Sequence, residues 1–271
     1  MRTSTALSAF SGLAAMVAPG LAGVVIESKI TDLRSQRVTR MTTLVEADRM
    51  RTDIAGADGE MSVMILRRGQ DFHMIVLDRR RKEYHVMDRA SLRQMQQQVG
   101  AAMAELQRQL KDLPPEQRAL MEKMMGKNLG GMAAGAPPQE VTTYRAAGAG
   151  NVSGRACKKY DELRGAQKIA ELCTVDPGSL GLTAADMTVF EKLSSVLEEF
   201  SRGPGGQMPA RNLKLAAKQV DGFPIEYVAF DGGRPASRYE VQQVTRRSFS
   251  EADFSTGDAK RIESPFAPSR R

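Results

Sequence analysis

The chain has 271 residues, of which 41% are hydrophobic, so it holds enough apolar material for a real core and is not a disordered polymer. Its formal charge is +7, yet it has no tryptophan and only 5% aromatic residues, and it shows no helix-turn-helix or zinc-ligand spacing. Basic charge without stacking residues or a reading motif excludes an ordinary nucleic-acid binder, and no nucleic-acid partner is expected.

The N-terminal stretch carries Arg2, an apolar run from Ala6 to Ala18 diluted by Ser8, Ser11 and Gly12, and the small-residue pattern Gly20-Leu21-Ala22. That is the pattern of a secretory signal over 1–22, cleaved after Ala22. The run is shorter than the roughly 20 apolar residues a spanning helix needs. No cysteine follows the cleavage point, so a soluble, exported, periplasmic chain is expected rather than a lipid-anchored one. Loss of Arg2 takes the formal charge from +7 to +6.

From Val24 to Asp88 short segments of strand character alternate with Gly, Asp and Arg turns. They are Val24 to Leu33, Gln36 to Val45, Arg49 to Ile54, Met61 to Arg67, Asp71 to Leu77 and Glu83 to Met87. Links this short imply an antiparallel meander. In Phe72 to Leu77 both parities are apolar, which predicts cover on both faces of the sheet. The basic runs Arg67-Arg68, Arg79-Arg80-Arg81-Lys82 and Arg246-Arg247 read as solvated turns and edges, with an anionic membrane surface as the partner they would suit.

Helical spacing begins at Ser91. Leu92, Met95, Val99, Met103, Leu106, Leu110 and Leu113 recur every three or four residues, with Ser91 and Gln94 expected as a capping box and Pro114-Pro115 as the stop. A second helix is expected from Pro115 to Met125, and Lys127 to Gln139 reads as a linker. Strands resume at Val141 to Ala146 and Val152 to Asp161, and the return strand is Gln167 to Val175. If that last hairpin turns on Gly165, Cys157 faces Cys173, Lys159 faces Glu171 and Glu162 faces Lys168. Opposite charges and a disulfide across one register predict a stapled hairpin. Thr183 and Asp186 cap a further helix carrying Met187, Phe190, Leu193, Leu197 and Phe200. Leu213 to Lys218 fits a helical turn or a strand equally. Pro224 to Phe230 and Arg238 to Thr245 form a last hairpin through Asp231-Gly232-Gly233. The tail over 256–271 is expected to be flexible.

This gives an α+β fold: a single curved antiparallel sheet of about eleven strands over 23–255, with helical insertions at 90–126 and 182–202. Catalytic patterns are absent. There is no GxSxG, HExxH, Walker A or CxxC, and Gly148-Ala149-Gly150-Asn151-Val152-Ser153-Gly154 precedes a strand, which denies a pyrophosphate its helix N-terminus. His73 and His85 flank the basic turn, either opposed or diagonal neighbours on one face, and two imidazoles do not make a metal site. No enzyme activity, cofactor or metal is expected.

Arg49-Met50-Arg51, Met64-Ile65-Leu66, Tyr84-His85-Val86-Met87, Val152 to Tyr160, Gly222-Phe223-Pro224 and Val241 to Phe254 together resemble exported bacterial domains of the LolA/LolB-like superfamily of envelope lipid and lipoprotein carriers. The resemblance implies an open half-barrel with helices packed on its concave side, where relatives bind acyl chains. The long Ser91 to Met125 insertion and the cysteine pair depart from the carrier pattern. The expected function is a periplasmic binding protein holding a lipid, a lipoprotein acyl chain or another amphiphile. Its apolar lining would be Met64, Leu66, Phe72, Met74, Val76, Tyr84, Met103 and Leu106. The alternative is a structural or regulatory protein that docks partners through 91–125.

Overall fold

The computed structural model describes residues 22–57, 59–111, 142–201 and 220–262. The signal segment up to residue 21, the second helix at Pro115 to Met125, the linker after it and the Leu213 to Lys218 segment lie outside these residues.

All six expected N-terminal strands form: β1 (Gly23–Asp32), β2 (Val38–Glu46), β3 (Arg49–Gly56), β4 (Gly59–Arg68), β5 (Asp71–Asp78) and β6 (Glu83–Met87). Helix α1 (Arg89–Lys111) follows, and then a second run of strands: β7 (Thr142–Val152), β8 (Arg155–Arg164) and β9 (Gln167–Val175). A 3-10 turn (Pro177–Leu180) leads into helix α2 (Ala184–Ser201), and β10 (Phe223–Asp231) and β11 (Arg234–Arg247) complete the expected set. Gly232 and Gly233 hold φ of 57° and 77° between β10 and β11, the left-handed pair a tight hairpin turn demands.

One open sheet of 12 strands results, in the order β12-β6-β5-β4-β3-β2-β1-β11-β10-β9-β8-β7, where β12 is the short strand Lys260–Arg261. Two meanders, β1 to β6 and β7 to β11, are fused along the β1–β11 ladder, in which Gly23 stands opposite Arg247. The chain must therefore bring residues from its two ends together to build the middle of its sheet. The sheet is mixed, because β12 runs parallel to β6.

Strand β12 corrects the expectation of a flexible tail for residues 256–262; the rest of that tail lies outside the described residues. It escapes a pattern-based reading because it is two polar residues long, held through backbone alone: Lys260 N–H donates to Lys82 O and Ile262 N–H to Tyr84 O, each at 2.8 Å. Before it, a 3-10 turn (Glu251–Phe254) is closed by a capping box between Ser250 and Asp253.

The cap of α1 also differs from expectation. Asp88, not Ser91, closes the helix, accepting from Ser91 N–H at 2.7 Å and Ser91 Oγ–H at 2.8 Å. Those hydrogen bonds, the backbone one first, hold the Asp88 carboxyl below its usual range. A carboxylate at a helix N-terminus is favoured over a hydroxyl there by the helix dipole. In α2 the expected box is present: Thr183 N–H donates to Asp186 Oδ2 at 2.7 Å and Asp186 N–H to Thr183 Oγ1 at 3.3 Å.

Both faces of the first meander are buried, as the apolar parities of β5 predict. On one face Val24, Ile26, Met41, Val45, Met50, Ile65 and Met74 pack in a single cluster with Phe190, Leu193, Val196 and Leu197 of α2. On the other, Val25 and Leu44 pack with Phe254, and Met64, Ile75 and Leu77 pack with Tyr84, Val86 and Ala259. The C-terminal segment is thus a strap over the sheet face that α2 leaves open.

Candidate functional site

The face beneath α2 is the candidate site, and its geometry follows from strand register. In the β4–β5 ladder Met64 stands opposite Ile75 and Ile65 opposite Met74. Even-numbered residues of β4 therefore share a face with odd-numbered residues of β5. Of the eight residues expected to line one concavity, Phe72, Met74 and Val76 lie on the α2 side, whereas Met64, Leu66 and Tyr84 lie on the strap side. Met64 and Met74 are both fully buried, on opposite faces. A single pocket lined by all six cannot form, because a shift of one residue in register exchanges the faces. Met103 and Leu106 belong to α1, but their side chains lie outside the described residues.

On the α2 side the core is filled where the helix crosses. The rings of Phe190 and Phe223 meet tilted at 47° with centroids 5.5 Å apart, and Phe190 and Leu193 are fully buried. A polar contact is enclosed among these apolar groups: the hydroxyls of Thr43 and Thr52 hydrogen-bond at 3.1 Å. Tyr239 is also sealed in, and burial pushes its phenol up to about 12. Beyond the helix the same face continues as a half-buried apolar strip of Ile30, Ile54, Met61 and Val76; Phe72 lies apart from it, with the buried Met74 between it and Val76 on β5. Ile54 and Met61 stand directly opposite each other within it.

Arg246 sets where α2 begins its crossing. Its guanidinium donates to Gly181 O and Ala22 O, each at 3.0 Å, and pairs with Asp186. Burial raises the Asp186 carboxyl, but hydrogen bonds from Thr183 and Arg246 outweigh it and hold the group below the usual range. Midway along the helix, Lys192 sits 5.4 Å from the ring centroid of Phe72 on β5. Cation contacts thus tie α2 to β11 at its start and to β5 in its middle.

The histidines are neither opposed nor on one face. His73 stands opposite Leu66 on the strap side, and His85 opposite Val76 on the α2 side. Burial alone lowers the His85 imidazole. Among the described residues no group of three or more metal-ligating side chains gathers.

The cysteines do form a disulfide, with Cα atoms 5.6 Å apart. Its register differs from the expected one. Arg164 pairs with Gln167 across a two-residue turn, the ladder shifts at Ile169, and Lys159 then stands opposite Cys173. The bridge is diagonal. Lys159 still pairs with Glu171, but Lys168 pairs with Asp161 at 2.5 Å and Glu171 at 2.9 Å in place of Glu162. Glu162 is buried and hydrogen-bonds Tyr227. Gly150 makes room for the bridge: a Cβ there would lie 3.0 Å from Cys173 Sγ.

No family model and no curated protein matches this chain. Among solved structures it is similar to an uncharacterized conserved protein from Thermus thermophilus, with a TM-score of 0.45 and 8% identity over 89% of this chain and 90% of that one. It is also similar to PNGF-II in a C2 crystal form, with a TM-score of 0.31 and 6% identity over 90% of this chain and 31% of that one. At these scores neither likeness bears on the chemistry. Among the described residues no helix is long and apolar enough to cross a membrane.

Proposed function

We propose that this protein is a non-enzymatic binding protein of the bacterial periplasm that holds a lipid or another amphiphile, in the manner of the LolA/LolB-like superfamily. In this reading the sheet curves into a half-barrel, α1 and α2 lie on its concave side, and the apolar strip beyond α2 receives an acyl chain. The observation that carries it is that strip: Ile30, Ile54, Met61 and Val76 are half-buried on a face whose neighbouring part is closed by α2. An apolar surface continuous with a core, bordered by adaptable methionine, suits a flexible chain better than a rigid polar substrate. Export is supported by the pattern of residues 1–22 and by the Cys157–Cys173 bridge, since disulfides persist in oxidising compartments.

Native mass spectrometry of protein purified from its own envelope tests the reading. A co-purifying lipid, and displacement of a fluorescent acyl probe that Met61→Asp and Val76→Asp abolish in folded protein, are the expected results. Absence of both lipid and probe binding overturns it.

A further inference from the structure

On the strap side, remote from the apolar strip, the segment 255–259 roofs a cavity of about 260 Å³ whose floor and walls include Arg51, Leu77, Arg79 and Lys82. Three cations from two parts of the chain meet here. Arg51 comes from β3, and Arg79 and Lys82 from the turn between β5 and β6. Asp78 shapes that turn by accepting from the N–H groups of Arg80 and Arg81, each at 2.9 Å.

The two guanidiniums are held in place by protein groups. Arg51 Nε donates to Asp53 Oδ1 at 2.8 Å and Arg51 Nη1 to Asp253 O at 2.7 Å. Arg79 Nε donates to Ser62 Oγ at 2.7 Å and Arg79 Nη2 to the same Asp53 Oδ1 at 3.0 Å. One carboxylate oxygen therefore serves two arginines, and Ser62 Oγ donates to it as well, at 2.5 Å. Lys82 pairs with Asp258 at 2.8 Å at the exposed rim. Side-chain exposure rises from 13% at Arg51 to 35% at Arg79 and 66% at Lys82, which grades the site from floor to mouth.

Charge is not balanced. Among the described residues, the carboxylates paired with Arg51, Arg79 and Lys82 are those of Asp53 and Asp258, so one positive charge is left over. The Lys82–Asp258 pair is solvated enough to exchange for another anion. The strap is tied down on both sides, by Arg247 to Asp253 at 2.8 Å and by the β12–β6 hydrogen bonds. Guanidiniums fixed before a ligand arrives lose little freedom on binding it, and they match multi-oxygen anions better than point charges do.

We propose that this cavity binds a phosphate group, either as free phosphate or as the headgroup of an anionic lipid. Arg51 and Arg79 would present fixed N–H donors from below, and Lys82 would turn from Asp258 to close the mouth. The site is separate from the amphiphile site and stands or falls without it.

Two arms on the full chain at low ionic strength test this and separate the sources. One is titration calorimetry with inorganic phosphate. The other is co-sedimentation with vesicles of phosphatidylcholine alone or mixed with phosphatidylglycerol. Saturable binding is expected in at least one arm, weakened by about tenfold in Lys82→Gln and further in Arg79→Gln, as loss of charge-assisted hydrogen bonds requires. Dependence on these residues with inorganic phosphate assigns free phosphate; dependence only with phosphatidylglycerol vesicles assigns the headgroup. Lys82→Gln touches only an exposed ion pair, so it remains interpretable if Arg79→Gln unfolds. The proposal is overturned if folded wild type binds in neither arm, or if binding is equal in wild type and Lys82→Gln.

Discussion

Lys159 on β8 stands directly opposite Cys173 on β9, so the bridge from Cys157 crosses the ladder diagonally and spans two residues of β8. It closes a loop with a sequence separation of 16 next to the sheet edge formed by β7. A loop of that length limits the unfolded chain by roughly 3 kcal/mol. Replacing both cysteines by alanine is expected to lower the urea midpoint accordingly, with the slope little changed. A pair of denaturation curves, with and without reductant, checks this: reductant should shift the wild type and leave the double variant where it is.

Gly150 offers a separate test of the same geometry. A side chain at this position would meet Cys173 Sγ at 3.0 Å and the Lys159 stem at 2.9 Å. Lysine can swing away; a disulfide sulfur cannot. Gly150→Val is expected to destabilise the oxidised protein by about 1–3 kcal/mol, as overpacking does, and by less in the cysteine-free background. Equal losses in the two backgrounds would show that the crowding is not with the bridge.

The strands were legible in the sequence because period-two apolar patterns and Gly- or Asp-rich turns repeat from Val24 to Thr245, and the capping pair Thr183 and Asp186 marked α2. Register was not legible. The two-residue turn moves the β8–β9 pairing by one residue and the extra residue at Ile169 moves it by one more beyond that point, and the β4–β5 ladder sets Met64 and Met74 on opposite faces although both numbers are even. The phosphate site was half visible. Arg79 and Lys82 stand in an evident basic run, but nothing in sequence links them to Arg51 or to a strap near residue 257, since only folding joins them.

Thr43 and Thr52 provide a third prediction, about a polar pair in an apolar layer. Each is almost fully buried, and their hydroxyls satisfy each other at 3.1 Å. Thr43→Val or Thr52→Val alone leaves one hydroxyl buried without its partner and is expected to cost about 1–3 kcal/mol. The double substitution removes both needs at once, with nearly the same shape. It is expected to be close to wild type, and a double-mutant cycle from denaturation midpoints should therefore show strong non-additivity.

Acid should loosen the crossing of α2. The Asp186 carboxyl lies below its usual value in the folded protein, because hydrogen bonds from Thr183 and Arg246 outweigh the burial that raises it. Its unfolded value is the ordinary one, about 4. As pH falls through that value the unfolded chain takes up a proton that the folded protein refuses, so stability is full above about pH 4 and drains away as pH drops toward the lower folded value. Asp161 has a depressed carboxyl too, through hydrogen bonds from Lys168 and Arg145, and it drains in the same direction. Denaturation midpoints measured from neutrality down to about pH 3 should fall for the wild type. Asp186→Asn should start lower at neutral pH and show a shallower decline, because the group that titrates at the α2 anchor is gone. Arg246→Gln should do the same while leaving Asp186 in place, since it is one of the partners that depress the carboxyl. If both variants decline as steeply as the wild type, the acid sensitivity resides elsewhere and Arg246 does not pin the helix through Asp186.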